Sequence, residues 1–154
     1  MPDGFHLAEA HSGIAWLDRD SVLLMSSLGP DMATRPGYAR TVRLWRRGTD
    51  PLAAPVIFES GRDSVHVYAG VDRDADDRLW FVDKLGGIDH AVWIGDRTGP
   101  KTRIDVPSDV WLTWRRGWLA VTPRTPWTVG GATYGTDTLL GISFEAFLAG
   151  DRRF

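Results

Sequence analysis

The chain has 154 residues, with 18 basic and 20 acidic side chains, a formal net charge of -2 and a pI near 6.0. That balance, with Lys and Arg scattered along the chain, gives no electrostatic footing for nucleic acid or an anionic membrane. There is no cysteine, so disulfides, thiolate zinc sites and cysteine nucleophiles are excluded.

The opening MPDGFHLAEAHSG has neither a basic n-region nor an apolar core, so it does not read as a signal peptide. No apolar run approaches the ~18 residues a membrane helix needs. The expectation is a soluble, cytoplasmic protein. Eight tryptophans and 17 glycines, with Pro- and Asp-rich turns between short apolar runs, predict an all-β fold.

In chain order, the first strand runs over Gly13-Ile14-Ala15-Trp16-Leu17, turns at Asp18-Arg19-Asp20 and returns along Val22-Leu23-Leu24-Met25. A loop from Ser26 to Arg40 leads to a third strand, Thr41 to Trp45, and a fourth, Val56 to Glu59. The same order then recurs. Ser64 to Ala69 is followed by an acidic turn at Asp72–Asp77, then Arg78 to Asp83, His90 to Ile94 and Lys101 to Val106. The third unit comprises Val110 to Trp114, a turn at Arg115-Arg116-Gly117, Trp118 to Thr122, an insertion, and Thr138 to Ser143. Phe144 to Gly150 is the one helical hint, a turn or two ended by Gly150.

Trp45, Trp93 and the neighbourhood of Leu140 mark third strands about 48 residues apart, and Ile57 and Ile104 mark fourth strands at nearly the same interval. Four short strands per unit at that period is the pattern of β-propeller blades, whose stacked faces are apolar on both sides. The expected fold is therefore an all-β, partial β-propeller of about three four-stranded antiparallel blades. The expected divisions are 1–10, the end of a preceding blade with Phe5-His6-Leu7 as its last strand; 11–60 and 61–107, two blades; and 108–154, an incomplete blade. Both ends thus read as falling mid-blade. Three blades do not close a ring, and an open arc exposes the apolar faces of its terminal blades to pairing.

Ser12–Glu59 (SGIAWLDRDSVLLMSSLGPDMATRPGYARTVRLWRRGTDPLAAPVIFE) resembles the propeller domain of the prolyl oligopeptidase family of serine peptidases. Thr125–Phe154 (TPWTVGGATYGTDTLLGISFEAFLAGDRRF) is similar to a later stretch of the same domain, and Asp3-Gly4-Phe5 with Glu9-Ala10 fit its preceding segment. The resemblance implies a two-domain enzyme in which a seven-bladed propeller admits only short peptides to an α/β-hydrolase domain. The catalytic Ser, Asp and His and the oxyanion hole of that family lie in the hydrolase domain. No position of this sequence receives them.

Gly141-Ile142-Ser143-Phe144-Glu145 approaches the Gly-x-Ser-x-Gly nucleophile elbow but ends in Glu, and Ser143 closes a strand. Ser64-Val65-His66 sets a serine and a histidine on one strand face near acids, and reads as a structural pairing. Asp72-x-Asp74-x-Asp76 matches half of a calcium loop, but Asp77 stands where that loop needs Gly and Asp83 where it needs Glu. A solvated hairpin turn is the better reading. His6, His11, His66 and His90 share no metal-ligand spacing. Gly86-Gly87 and Gly130-Gly131 lack the context of phosphate loops and read as turns. Arg43, Arg46 and Arg47 beside Asp50 read as a solvated strand end. The tryptophans are expected in blade cores rather than on a stacking platform, with Trp127 the most exposed.

The sequence thus leads to no catalytic, cofactor-binding or metal-binding residue and no cofactor. Its expected role is a non-catalytic propeller fragment of a peptidase, inactive alone, whose partner is the remainder of that protein. The alternative is a freestanding interaction module that completes its ring by self-association through exposed blade faces. Neither nucleic acid nor membrane is an expected partner.

Overall fold

A computed structural model describes residues 4–154; Asp3, read above with Gly4-Phe5, lies outside them. The chain forms two compact units: one up to Arg73 together with Asp77–Arg103, the other Asp74–Asp76 with Ile104–Phe154.

The first unit contains two antiparallel four-stranded sheets of the same up-and-down order. One is β1 (Ser12–Asp18), β2 (Ser21–Ser26), β3 (Thr41–Arg46) and β4 (Val56–Glu59). The other is β5 (His66–Asp72), β6 (Arg78–Gly86), β7 (Asp89–Gly95) and β8 (Thr102–Arg103). Every residue of β2 is buried. Alternation sends Leu23 and Met25 to one face and Val22 and Leu24 to the other, which is why this strand has no polar side except its terminal serines.

The Leu23 face packs on the second sheet in a cluster with Leu17, Val42, Val67, Ala69, Leu79 and Phe81. Polar groups fix the register of that packing. Val67 N–H donates to the Ala39 carbonyl at 2.9 Å, Thr34 Oγ1 to the Val65 carbonyl at 2.9 Å, and Arg73 Nη2 to the Trp16 carbonyl at 2.7 Å. Arg97 reaches Asp18 at 3.1 Å. The Asp20 backbone N–H first, and Arg97 after it, hold the Asp18 carboxyl below its ordinary range.

The Val22 face is covered by Met32, Trp45 and Ala54, with Phe5, Leu7 and Leu28 packed against them. Phe5 meets Trp45 edge-on at 4.7 Å and Trp16 at 5.5 Å. The segment Phe5-His6-Leu7 is therefore a cover over the first sheet, not the strand expected from its sequence. Its apolar residues are spent on packing across a face instead of pairing along an edge. The arginines of β3 and its turn are likewise structural. Arg43 donates to the Leu52 and Ala54 carbonyls, and Arg47 bonds Asp20 at 3.0 Å beneath Phe5.

The fourth strand of the second sheet is shorter than Lys101 to Val106: only Thr102 and Arg103 pair, with Ile94 and Trp93. Ile104, a landmark of the repeat, lies beyond the strand and is buried. Within β5, Gly70 pairs with Trp80, whose indole occupies the space a Cβ would need.

The second unit is built on a three-stranded sheet ordered β13-β10-β9, from β9 (Trp111–Arg115), β10 (Trp118–Thr122) and β13 (Leu140–Ser143). Between β10 and β13 the insertion folds as a hairpin that the sequence reading did not resolve, β11 (Trp127–Val129) and β12 (Ala132–Tyr134). Gly130 and Gly131 form its turn with φ of +59° and +83°, a backbone that L side chains rarely adopt. One sheet face carries the buried Leu119, Val121, Leu140 and Ile142. After β13 comes α1 (Phe144–Leu148), which buries Phe144 and Phe147.

Tryptophan exposure departs from expectation. Trp127 is half-buried with Phe154 edge-on against it at 5.3 Å, whereas Trp16, Trp111 and Trp118 are exposed by 51, 66 and 63 %. Trp111 and Trp118 share the opposite face of the three-stranded sheet, separated by Thr113 and Ala120.

Candidate functional site

The serine at the near-match to the elbow is occupied structurally. Ser143 has φ -56° and ψ 126°, without the strain of a nucleophile turn, and its Oγ accepts from the Ala146 N–H as the N-cap of α1. The short polar side chain ending a strand is there to start a helix.

Ser64 and His66 do not form the beginning of a relay. β5 begins at His66, so Ser64 lies in the preceding turn, where its N–H donates to the Gly61 carbonyl at 3.3 Å. Asp83 pairs with Val67 and His66 with Lys84, which puts the carboxyl and the imidazole on opposite faces of the sheet. Asp83 is buried, and its Oδ1 has no hydrogen-bond partner. Burial raises its pKa, against the smaller opposing effect of the Ser64 hydrogen bond.

A carboxyl that holds its proton more tightly when folded contributes stability that is fully present below its unfolded pKa of about 3.9. That stability is lost as pH rises through the raised folded value. Asp83→Asn removes the titration. The variant is therefore expected to gain in melting temperature relative to the parent chain between pH 4 and pH 8; a gap that shrinks as pH rises contradicts this.

The acidic turn is a hairpin between β5 and β6, with Asp72 opposite Arg78. Asp76 and Asp77 take positive φ of 48° and 58°, conformations that Asp tolerates better than most residues. Arg73 pairs with Asp77 at 2.7 Å and Arg78 with Asp72 at 3.4 Å, so two of the carboxylates already face guanidinium groups. Among the described residues no group of three or more His, Asp or Glu is placed to hold a metal ion. His90 Nδ1 lies 3.1 Å from the Ile88 carbonyl.

A feature the sequence reading missed lies in the first unit, at the start of β1 and β5. Four rings from three separate segments form a continuous series. His11 lies 5.3 Å from Tyr38, Tyr38 lies 5.7 Å from His66, and His66 meets Tyr68 edge-on at 4.0 Å. They line an open pocket of about 340 Å³, with Gly13 and Met25 on its wall. The Ser26–Arg40 loop delivers Tyr38, and a tight turn there bonds Thr34 N–H to the Tyr38 carbonyl at 2.8 Å. Alternation along β5 puts His66 and Tyr68 on one face. His66-x-Tyr68 was the one local signal of this pocket; its other rings are remote in sequence. Burial first, and the positive charge of Lys84 after it, push the His66 pKa down.

Comparison with known proteins gives three findings. No family model matches the chain. Over 89 residues, 58% of the chain, it is 28% identical to an uncharacterized peptidase, y4nA, of Sinorhizobium fredii, and that stretch is 12% of the relative's length. Its fold matches a post-proline cleaving enzyme from Rickettsia typhi with a TM-score of 0.78 and 17% identity, over 93% of this chain and 23% of that one. The chain thus spans a minor part of each protein it resembles. No helix among the described residues is long and apolar enough to cross a membrane. The sequence match is thus to a peptidase and the fold match to a post-proline cleaving enzyme, and the fold is all-β, a partial β-propeller.

Proposed function

We propose that this chain is a non-catalytic propeller segment of a prolyl oligopeptidase-like serine peptidase. In this role its sheets restrict entry to short peptides, and the bond is cut by groups elsewhere in that protein. The observation that carries the reading is the match of 93% of the chain to a post-proline cleaving enzyme at a TM-score of 0.78. The sequence similarity to a peptidase supports it. So do the local roles of the residues closest to hydrolase motifs: Ser143 caps a helix, and Ser64 lies in the turn before β5. On this reading the setting is the cytoplasm, where a cysteine-free chain forgoes no disulfide.

The test of gating uses the peptidase that carries the segment. It is expected to cleave a short proline-containing peptide and to spare the same sequence presented within a folded protein. Equal cleavage of both contradicts gating.

A second reading, a self-associating module, is favoured by one observation: Trp111 and Trp118 stand exposed on one face of the three-stranded sheet. Light scattering separates the two. A defined dimer of the chain supports self-association, and a monomer removes it.

A further inference from the structure

We propose that the pocket bordered by Tyr38, His66 and Tyr68 is a binding site for a small planar aromatic carboxylate. Its volume of about 340 Å³ falls within the about 300–1,000 Å³ usual for small-molecule sites, and its walls are mostly apolar and aromatic, as such sites are. The rings are tilted against one another by 47° and 48°, and Tyr38 and Tyr68 are 43 and 49 % exposed. Their open faces are surfaces on which a further flat ring stacks favourably. Opposite, Gly13 leaves room, since a Cβ there would meet only Met25 Cε at 3.6 Å.

Charge decides the class of ring. Aromatic walls alone attract cations. Here Lys84 stands directly across the strand pair from His66, on the same face as Tyr68. Its charge is felt at the imidazole, and no carboxylate pairs with it among the described residues. Cross-strand neighbours have Cβ atoms about 5 Å apart, so the Lys84 side chain starts beside His66, on the sheet face that Tyr68 shares. A positive charge next to His66 disfavours a cation on these rings and favours an anion on a flat ring. His66, held toward its neutral form, adds no charge that would dominate Lys84. The site requires no hydrolytic chemistry and stands apart from the reading of the chain as a peptidase segment.

The experiment titrates the chain with 2-naphthoate, its uncharged isostere 2-naphthamide and the cation 2-naphthylmethylammonium, following the His66 imidazole resonances by NMR. Naphthoate is expected to shift them saturably and to bind about two- to fivefold tighter than the amide, the scale of a partly exposed ion pair. The ammonium is expected to bind most weakly. Lys84→Met should equalise naphthoate and naphthamide. Gly13→Val, which fills the pocket with a residue that suits a strand, should abolish the shifts of all three. The proposal is overturned by absence of a saturable naphthoate shift, by the ammonium binding tightest, or by an acid preference that persists in the Lys84 variant. The ligand comparison on the unaltered chain decides the matter even if a variant fails to fold.

Discussion

Phe81→Ala is expected to lower the stability of the chain by about 3–5 kcal/mol, the range for removing a fully buried phenylalanine. Phe81 is 0 % exposed and sits in the cluster shared by the two four-stranded sheets of the first unit. Its ring stacks on Phe58 at 4.8 Å and 17°, it pairs across strands with Ala69 and Trp93, and the Lys101 ammonium lies 5.6 Å from its centroid. Strands and backbone hydrogen bonds on both sides hold the surroundings, so little collapse into the cavity is available. Phe81→Leu keeps most of the volume and should lose less than half as much. Urea denaturation reads the difference as a fall in midpoint. A loss under about 1 kcal/mol for the alanine variant would mean that the two sheets do not depend on this shared core.

The second large effect is expected at Gly130, and its neighbour supplies the control. At Gly130 a side chain faces two penalties: a φ of +59° and a Cβ that collides with the Arg152 carbonyl. Because the obstacle is backbone, no rotamer change relieves it. Gly130→Ala should cost roughly 2–4 kcal/mol from strain and overpacking together. Gly131 has a φ of +83°, with no atom within 4 Å of an added Cβ. Gly131→Ala should therefore cost only about 1 kcal/mol, from the backbone alone. Thermal melts of the two variants check this, and equal losses would remove the close approach of Arg152 as the cause.

These two positions show what the sequence reveals and what it hides. The sheets were legible because burial on both faces leaves near-continuous apolar runs, as in Val22–Met25, and because Trp45 and Trp93 repeat at a blade-like interval. The Gly130-Gly131 turn was legible, but the hairpin around it was not. β11 and β12 have three residues each, with Thr128 and Thr133 bonding across at 2.9 Å, too short for alternation to register. Phe5-His6-Leu7 misled because an apolar triplet that covers a sheet has the composition of a strand. Ile104 misled because a buried isoleucine just past the end of a two-residue strand has the composition of a strand residue. Exposure of Trp111 and Trp118 was hidden for a different reason: period-2 patterning gives the two faces of β9 and β10 but not which is covered. The ring pocket was the least legible, since His11, Tyr38 and His66 meet only through tertiary packing.

The central claim, a propeller segment without hydrolytic chemistry of its own, is tested most directly by incubating the purified chain with a proline-containing chromogenic peptide, with and without a serine-directed inhibitor. The account predicts no release of chromophore above the buffer rate in either case. Release that the inhibitor abolishes would contradict it and would put a nucleophile within these residues.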